Sequence, residues 1–153
     1  MALLDQYAAR LGETRTSDWF EVTQAQVNAF ADATHDHQFI HVDPERARAE
    51  TPFGGPIAHG FLTLSMLSHF AEQTLPDFPD KAIGINYGFE KVRFLTPVPV
   101  GARIRGVFTL AKAEERKPGQ IQLVNQCQVE IDGSDAPALA AEWLSLVISE
   151  AAA

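Results

Sequence analysis

Gly60-Phe61-Leu62-Thr63-Leu64-Ser65-Met66-Leu67-Ser68-His69-Phe70-Ala71-Glu72-Gln73-Thr74 reads as one helix, apolar nearly all round, with no charge before Glu72. Such a helix needs cover, and the rest of the chain offers cover of one kind. Ile85, Tyr87 and Phe89 alternate with smaller or polar neighbours, and Ile104, Gly106, Phe108 and Leu110 do the same. Ile121, Leu123, Cys127, Val129 and Ile131 alternate with Gln122, Gln126, Gln128 and Glu130. A last strand over about residues 138–149 is apolar on both faces. Breaks at 97–101, 117–119 and 132–136 read as turns, so the pattern predicts a meander of long antiparallel strands. The expected class is α+β: helices first, then an antiparallel sheet wrapped around a central apolar helix over about 60–74.

Upstream, Leu3, Leu4, Tyr7 and Leu11 fall at helical spacing with Gly12 as a stop. A short strand is expected over 19–22. Thr23 and Gln26 match the capping box, and Val27, Phe30 and Ala31 supply the apolar face of a helix ending near Thr34. Asp43-Pro44-Glu45 is an N-cap followed by proline at the first helical position, predicting a short helix to about Glu50. Thr51-Pro52-Phe53-Gly54-Gly55-Pro56 breaks it.

A chain of 153 residues, 46% hydrophobic and 21% charged, suits one globular domain spanning 1–153. It has no apolar run of about 18 residues and no basic start followed by an apolar stretch, so neither a membrane span nor a signal peptide is expected. A cytoplasmic protein is the expectation. Twelve basic against twenty acidic residues give −8, the wrong sign for nucleic acid or an anionic membrane, and neither is expected as a partner. Arg46, Arg48, Lys91 and Arg93 are local cations for an anionic small molecule, and ordinary solvated charge describes each equally well. The single Cys127 lies in an alternating stretch and reads as a buried structural thiol.

Four of the five histidines fall between residues 35 and 59, in His35-Asp36-His37-Gln38-Phe39-Ile40-His41 and Ala58-His59-Gly60, around an aspartate that reads as buried. A spacing of five lets one loop turn both Asp36 and His41 into a pocket, where a carboxylate and an imidazole sharing a water can exchange protons with a neighbouring carbon. Spacing alone favours a plainer reading, with Asp36 capping a turn and His41 a structural histidine. Context tips the balance: Gly60 opens the apolar helix after a Gly/Pro-rich loop, and helix-head N–H groups without a Cβ in the way suit a developing oxyanion. Ser65 and Ser68 lie on that helix as core hydroxyls or pocket donors. A metal nest of His35, Asp36, His37 and His41 is a third reading, but the spacing matches no zinc signature, and no metal is expected. No Gly-x-Ser-x-Gly elbow supports a serine hydrolase.

Phe30-Ala31-x-x-Thr34-x-Asp36-x-x-x-Ile40-His41-x-Asp43, with Ala47, Phe53, Gly55, Ile57 and Ala58-His59-Gly60-Phe61-Leu62, resembles the hydratase signature of the MaoC-like family. The resemblance runs on through Asn86-Tyr87-Gly88, Arg93-Phe94, Pro97-Val98 and Gly101, and is strongest to the small nodulation protein N-like group. It implies the hot-dog fold and reversible hydration of a trans-2-enoyl thioester to the (R)-3-hydroxyacyl thioester, with acyl-CoA as the small-molecule substrate and no metal or redox cofactor. Asp36 and His41 match the family's catalytic pair, Gly60 the glycine whose N–H polarises the thioester carbonyl, and Ser68 a pocket serine. His59 marks the entrance of the helix. Gln38 and Phe39 replace the family's usual Asn-Pro, which places Gln38 as an amide contact and Phe39, like Phe53, as bulk near the acyl chain. The resemblance also implies a homodimer joined sheet to sheet, with CoA across the boundary and Arg93 or Lys91 at a phosphate. Two other functions remain in view: a hot-dog thioesterase, revealed by free CoA release, and a non-catalytic acyl-CoA-binding subunit.

Overall fold

The computed structural model describes residues 2–74 and 82–149. The chain runs α1 (Leu3–Ala8), β1 (Thr14–Thr16), β2 (Phe20–Glu21), α2 (Gln24–Thr34), α3 (Phe39–Val42), α4 (Pro44–Glu50), α5 (Gly60–Thr74), β3 (Ile83–Phe94), β4 (Arg103–Lys117), β5 (Gln120–Ile131) and β6 (Leu139–Ile148). The six strands form one sheet in the order β1-β4-β5-β6-β3, with β2 also paired to β4, and every pairing is antiparallel. This is the α+β arrangement the pattern predicts, with one correction. The strands are not a simple meander, because β3 pairs with β6 and not with β4. Pro97 and Pro99 lack the N–H groups a hairpin ladder needs. Instead, Leu95 and Thr96 donate to the Ala138 carbonyl, Ala58 donates to Val98, and Gly101 donates to Val22. The link after β3 is thereby drawn across the helical layer before β4 begins.

The helices follow their local signals closely. The Thr23 side chain accepts from the Gln26 N–H at the head of α2, and the Asp43 side chain accepts from the Arg46 N–H at the head of α4. The first helix, expected to reach Leu11, stops at Ala8. Leu11 is exposed, and the Gly12 N–H is taken by the Leu110 carbonyl of β4, which leads directly into the unforeseen β1. The short helix α3 was expected to be loop, since four residues are too few to show a period.

Helix α5 is less enclosed than its composition suggests. Leu62, Leu67, Phe70 and Ala71 are buried, but Phe61 is 67% exposed, and Ser65, Ser68 and His69 are also exposed. The covered face packs on the sheet with Val27, Ile104, Phe108, Val129 and Leu139. At Gly106 the approach is so close that a Cβ there would sit 2.7 Å from the Cβ of Phe70. A second core lies under α1, where Tyr7 meets Leu110, Ile121, Leu123 and Val147. Cys127 is buried, as its strand position predicts, and burial pushes its thiol up to about 12. No helix among the described residues is long and apolar enough to cross a membrane.

Candidate active site

The polypeptide leaves α2 through His35, which caps the helix in the left-handed region (φ 64°). That reversal brings Asp36 back beside the head of α5. Asp36 is exposed rather than buried, and its Oδ1 accepts the Gln38 N–H at 3.3 Å, a local turn that sets the start of α3. His41, carried by α3 rather than by a loop, is buried at 6% exposure. Its Nδ1–H donates to the Ile57 carbonyl at 2.6 Å, which leaves the lone pair on Nε2. Ile57 is itself held on both sides, donating to the Ile40 carbonyl and bridging to Pro99. The Gln24 amide of α2 donates to the His41 carbonyl at 2.8 Å, tying α3 to α2.

The Asp36 carboxylate and one ring nitrogen each of His41 and His59 lie within 4.8 Å of one another. A water bridges two polar atoms up to roughly 5.5 Å apart, so Asp36 and His41 are spaced to hold one between them. Burial lowers the pKa of His41 below the usual histidine range, and His59 acts in the same direction. The Ile57 carbonyl and the Asp36 carboxylate oppose that shift. The neutral imidazole is thus the favoured form of His41.

A cleft of about 360 Å³ is lined by His41, Ile57, Gly60, Thr63, Phe94 and Val98, among others. Leu62 and Thr63 donate their N–H groups to the His59 carbonyl, so among the described residues the unclaimed helix-head donors are those of Gly60 and Phe61. The Phe94 ring covers Gly60 so closely that a Cβ there would meet it at 3.0 Å. The structure therefore brings His41 and Gly60 to one cleft, while Asp36 is not part of its lining and is near His41 through the 4.8 Å grouping.

The remaining expected residues scatter. Ser68 lines a separate, larger cleft of about 630 Å³ with Ser65, His69, Asn86, Asn125 and Trp143, away from His41 of its own chain. Arg93 and Lys91 line a third cleft with Gln126, Gln128 and Glu142. Gln38 is exposed, Phe39 lies under the Arg46 guanidinium at 3.9 Å, and Phe53 is exposed. None of the three lines the cleft of His41 and Gly60. Sequence reasoning missed the Ile57 carbonyl as the partner of His41, since a main-chain acceptor has no residue signature. It also missed the contact of Phe94 with Gly60, which spans 34 positions of chain.

Of the residues in the metal reading, Asp36 and His41 group with His59 rather than with His35 and His37. His37 pairs with Asp32 on the surface at 2.9 Å. His41 and His59 stack face to face, with centroids 3.8 Å apart and planes 25° apart. Imidazole binds a metal in its ring plane, and two nearly parallel rings do not aim their lone pairs at one ion.

The MaoC like domain model matches residues 7–130. Nodulation protein N of Rhizobium meliloti (strain 1021) is 50% identical over 134 residues, covering 88% of this chain and 83% of that protein. The 3-hydroxyacyl-thioester dehydratase Z of Mycobacterium tuberculosis is 49% identical over 136 residues, covering 88% of this chain and 89% of that protein. Among solved structures, the (R)-hydratase from A. caviae involved in PHA biosynthesis matches with a TM-score of 0.71 and 27% identity over 88% of this chain and 94% of that one. With its long antiparallel sheet around α5, the chain has the hot-dog fold and belongs to the MaoC-like family, a family of lyase-type dehydratases and hydratases.

Proposed function

We propose that the protein adds water reversibly to a trans-2-enoyl-CoA to give the (R)-3-hydroxyacyl-CoA, with Asp36 and His41 handling the water and Gly60 meeting the thioester oxygen. The observation that carries this reading is the grouping of a carboxylate and a neutral imidazole within water-bridging distance, beside a cleft headed by the free N–H of Gly60. The names of the dehydratase and (R)-hydratase relatives support the same class. In hydration, the pair takes a proton from the shared water as its oxygen bonds to C3. The C2=C3 electrons shift toward C2, the thioester oxygen gains charge against the Gly60 N–H, and a proton is returned to C2. Dehydration runs through the same steps reversed. Water and alkene supply every atom of the product without net oxidation or reduction, so the chemistry asks for no redox cofactor.

The reading includes a homodimer. Ile83, Ile85, Tyr87, Phe89, Phe94 and Leu95 are exposed on or just after β3, the last strand of the sheet order, and such an apolar edge suits a second copy. Lys91 and Arg93, which line a cleft on the same strand, are the cations this reading assigns to a CoA phosphate.

The test is hydration of crotonyl-CoA, followed by loss of the enoyl-thioester absorbance. Asp36→Asn and His41→Ala are each expected to lower kcat roughly 10²–10⁴-fold. Unchanged rates in both variants overturn the proposal. Release of free CoA identifies a thioesterase instead, and acyl-CoA binding without turnover identifies a non-catalytic subunit.

A further inference from the structure

His59 is 2% exposed and stands one residue before Gly60. Its carbonyl receives the Leu62 and Thr63 N–H groups at 3.1 and 3.2 Å, which fixes it to the head of α5. Its Nε2 lies 3.0 Å from the main-chain carbonyl of Asp36. A carbonyl only accepts, so Nε2 bears the hydrogen and the lone pair is on Nδ1, which is buried with no hydrogen-bond partner among the described residues. One ring face stacks on His41 at 3.8 Å, and Phe30 closes on the ring at 4.9 Å.

Packing alone does not account for an imidazole here. A phenyl ring would stack on His41 in the same slot and bury no unpaired nitrogen, whereas His59 carries one at a cost. What a phenyl ring lacks is the N–H that holds the Asp36 carbonyl. That hold matters because Asp36 is exposed, follows the left-handed His35, and among the described residues is otherwise fixed only by the 3.3 Å contact of its carboxylate with Gln38.

We propose that His59 is a positioning residue that ties the Asp36 turn, the His41 ring and the head of α5 into one register, so that Asp36 and His41 face the same water. Its single N–H sets the aspartate, its ring sets the plane of the histidine, and its backbone sets Gly60. The titratable groups acting on His41 are Asp36, from the turn after α2, and His59 itself. Helix α2 contributes only the Gln24 amide, and residues 94–98 of the cleft bring no charged side chain.

This inference rests on the hydration reading for its kinetic arm and on geometry alone for its spectroscopic arm. The variants are His59→Phe, which keeps the stack and loses the donor, and His59→Gln, whose amide nitrogen reaches about as far as Nε2. With crotonyl-CoA, His59→Phe is expected to lower kcat roughly tenfold or more with KM nearly unchanged, and His59→Gln to recover most of the loss. In the second arm, the titration of His41 is followed by imidazole ¹⁵N NMR with and without Asp36→Asn. Removing the carboxylate is expected to lower the His41 midpoint in the wild-type background and to move it much less in the His59→Phe background. A folded His59→Phe protein with wild-type kcat, or with the same Asp36-dependent shift, overturns the proposal. Inactive wild-type protein refutes the hydration reading instead, and the NMR comparison still decides the role of His59.

Discussion

Under the proposed hydration reading, protonation of His41 sets how far the medium can be acidified before the Asp36 and His41 pair stops accepting protons. Burial and the adjoining His59 depress its pKa, so in the folded chain the imidazole stays neutral at pH values where a free histidine is already charged. The stability linked to this group has the opposite appearance. Above about pH 6.5 both folded and unfolded chains carry it neutral and its contribution is full. As pH falls from there through the depressed folded value, the unfolded chain binds a proton that the folded chain refuses, and stability is lost. Crotonyl-CoA hydration is therefore expected to hold its kcat/KM below pH 6.5 before declining, while the stability difference between wild type and His41→Ala already shifts over that interval. An acid limb at or above pH 6.5 contradicts this assignment. The grouping of His41 with Asp36 and with Gly60 was legible because these residues carry side-chain chemistry, or the lack of a side chain, at fixed spacing. That Ser68 and Arg93 line clefts other than that of His41 and Gly60 was not legible, because position along a helix or strand does not say which of several clefts a residue lines.

At the scale of elements, the tightest joint is between α5 and β4. Phe70 is wholly buried, and Gly106 meets it without a side chain. The same glycine exchanges hydrogen bonds with Ser17, whose N–H donates to its carbonyl and whose hydroxyl oxygen accepts its N–H, both at 2.9 Å. Gly106→Ala would place a methyl 2.7 Å from the Phe70 Cβ and 2.8 Å from the Phe108 ring, contacts that only a backbone shift relieves. A loss of about 1–3 kcal/mol is expected in urea unfolding, and an unchanged midpoint contradicts it. The sequence shows Gly106 merely as one member of an alternating strand, since what a missing Cβ meets lies on another element. Helices α2, α4 and α5 were readable from their caps and apolar faces. Strand order was not, because period two specifies a strand without specifying its neighbour.

At the scale of the whole molecule, the sheet ends in an apolar strand. Exposed Ile83, Ile85 and Tyr87 share β3 with Lys91 and Arg93, and the chain as a whole is strongly acidic at −8. A lone chain with that edge is a template for pairing, and a symmetric second copy is the simplest way to cover it. Sedimentation is expected to show a dimer for the wild type and a monomer for the Ile85→Lys, Tyr87→Lys double variant. A monomeric wild type removes this part of the reading.

The insertion of β6 between β5 and β3 also imposes an order on assembly. During synthesis from the N-terminus, α5 and β3 emerge before the strand that pairs with β3, and some fifty positions separate β3 from that partner. Until residues 139–148 arrive, the apolar β3 lacks its sheet neighbour. The nascent chain thus carries an apolar strand unpaired through that interval. A polypeptide interrupted after β5 would retain the Asp36 and His41 segment yet present β3 to any other unfinished chain.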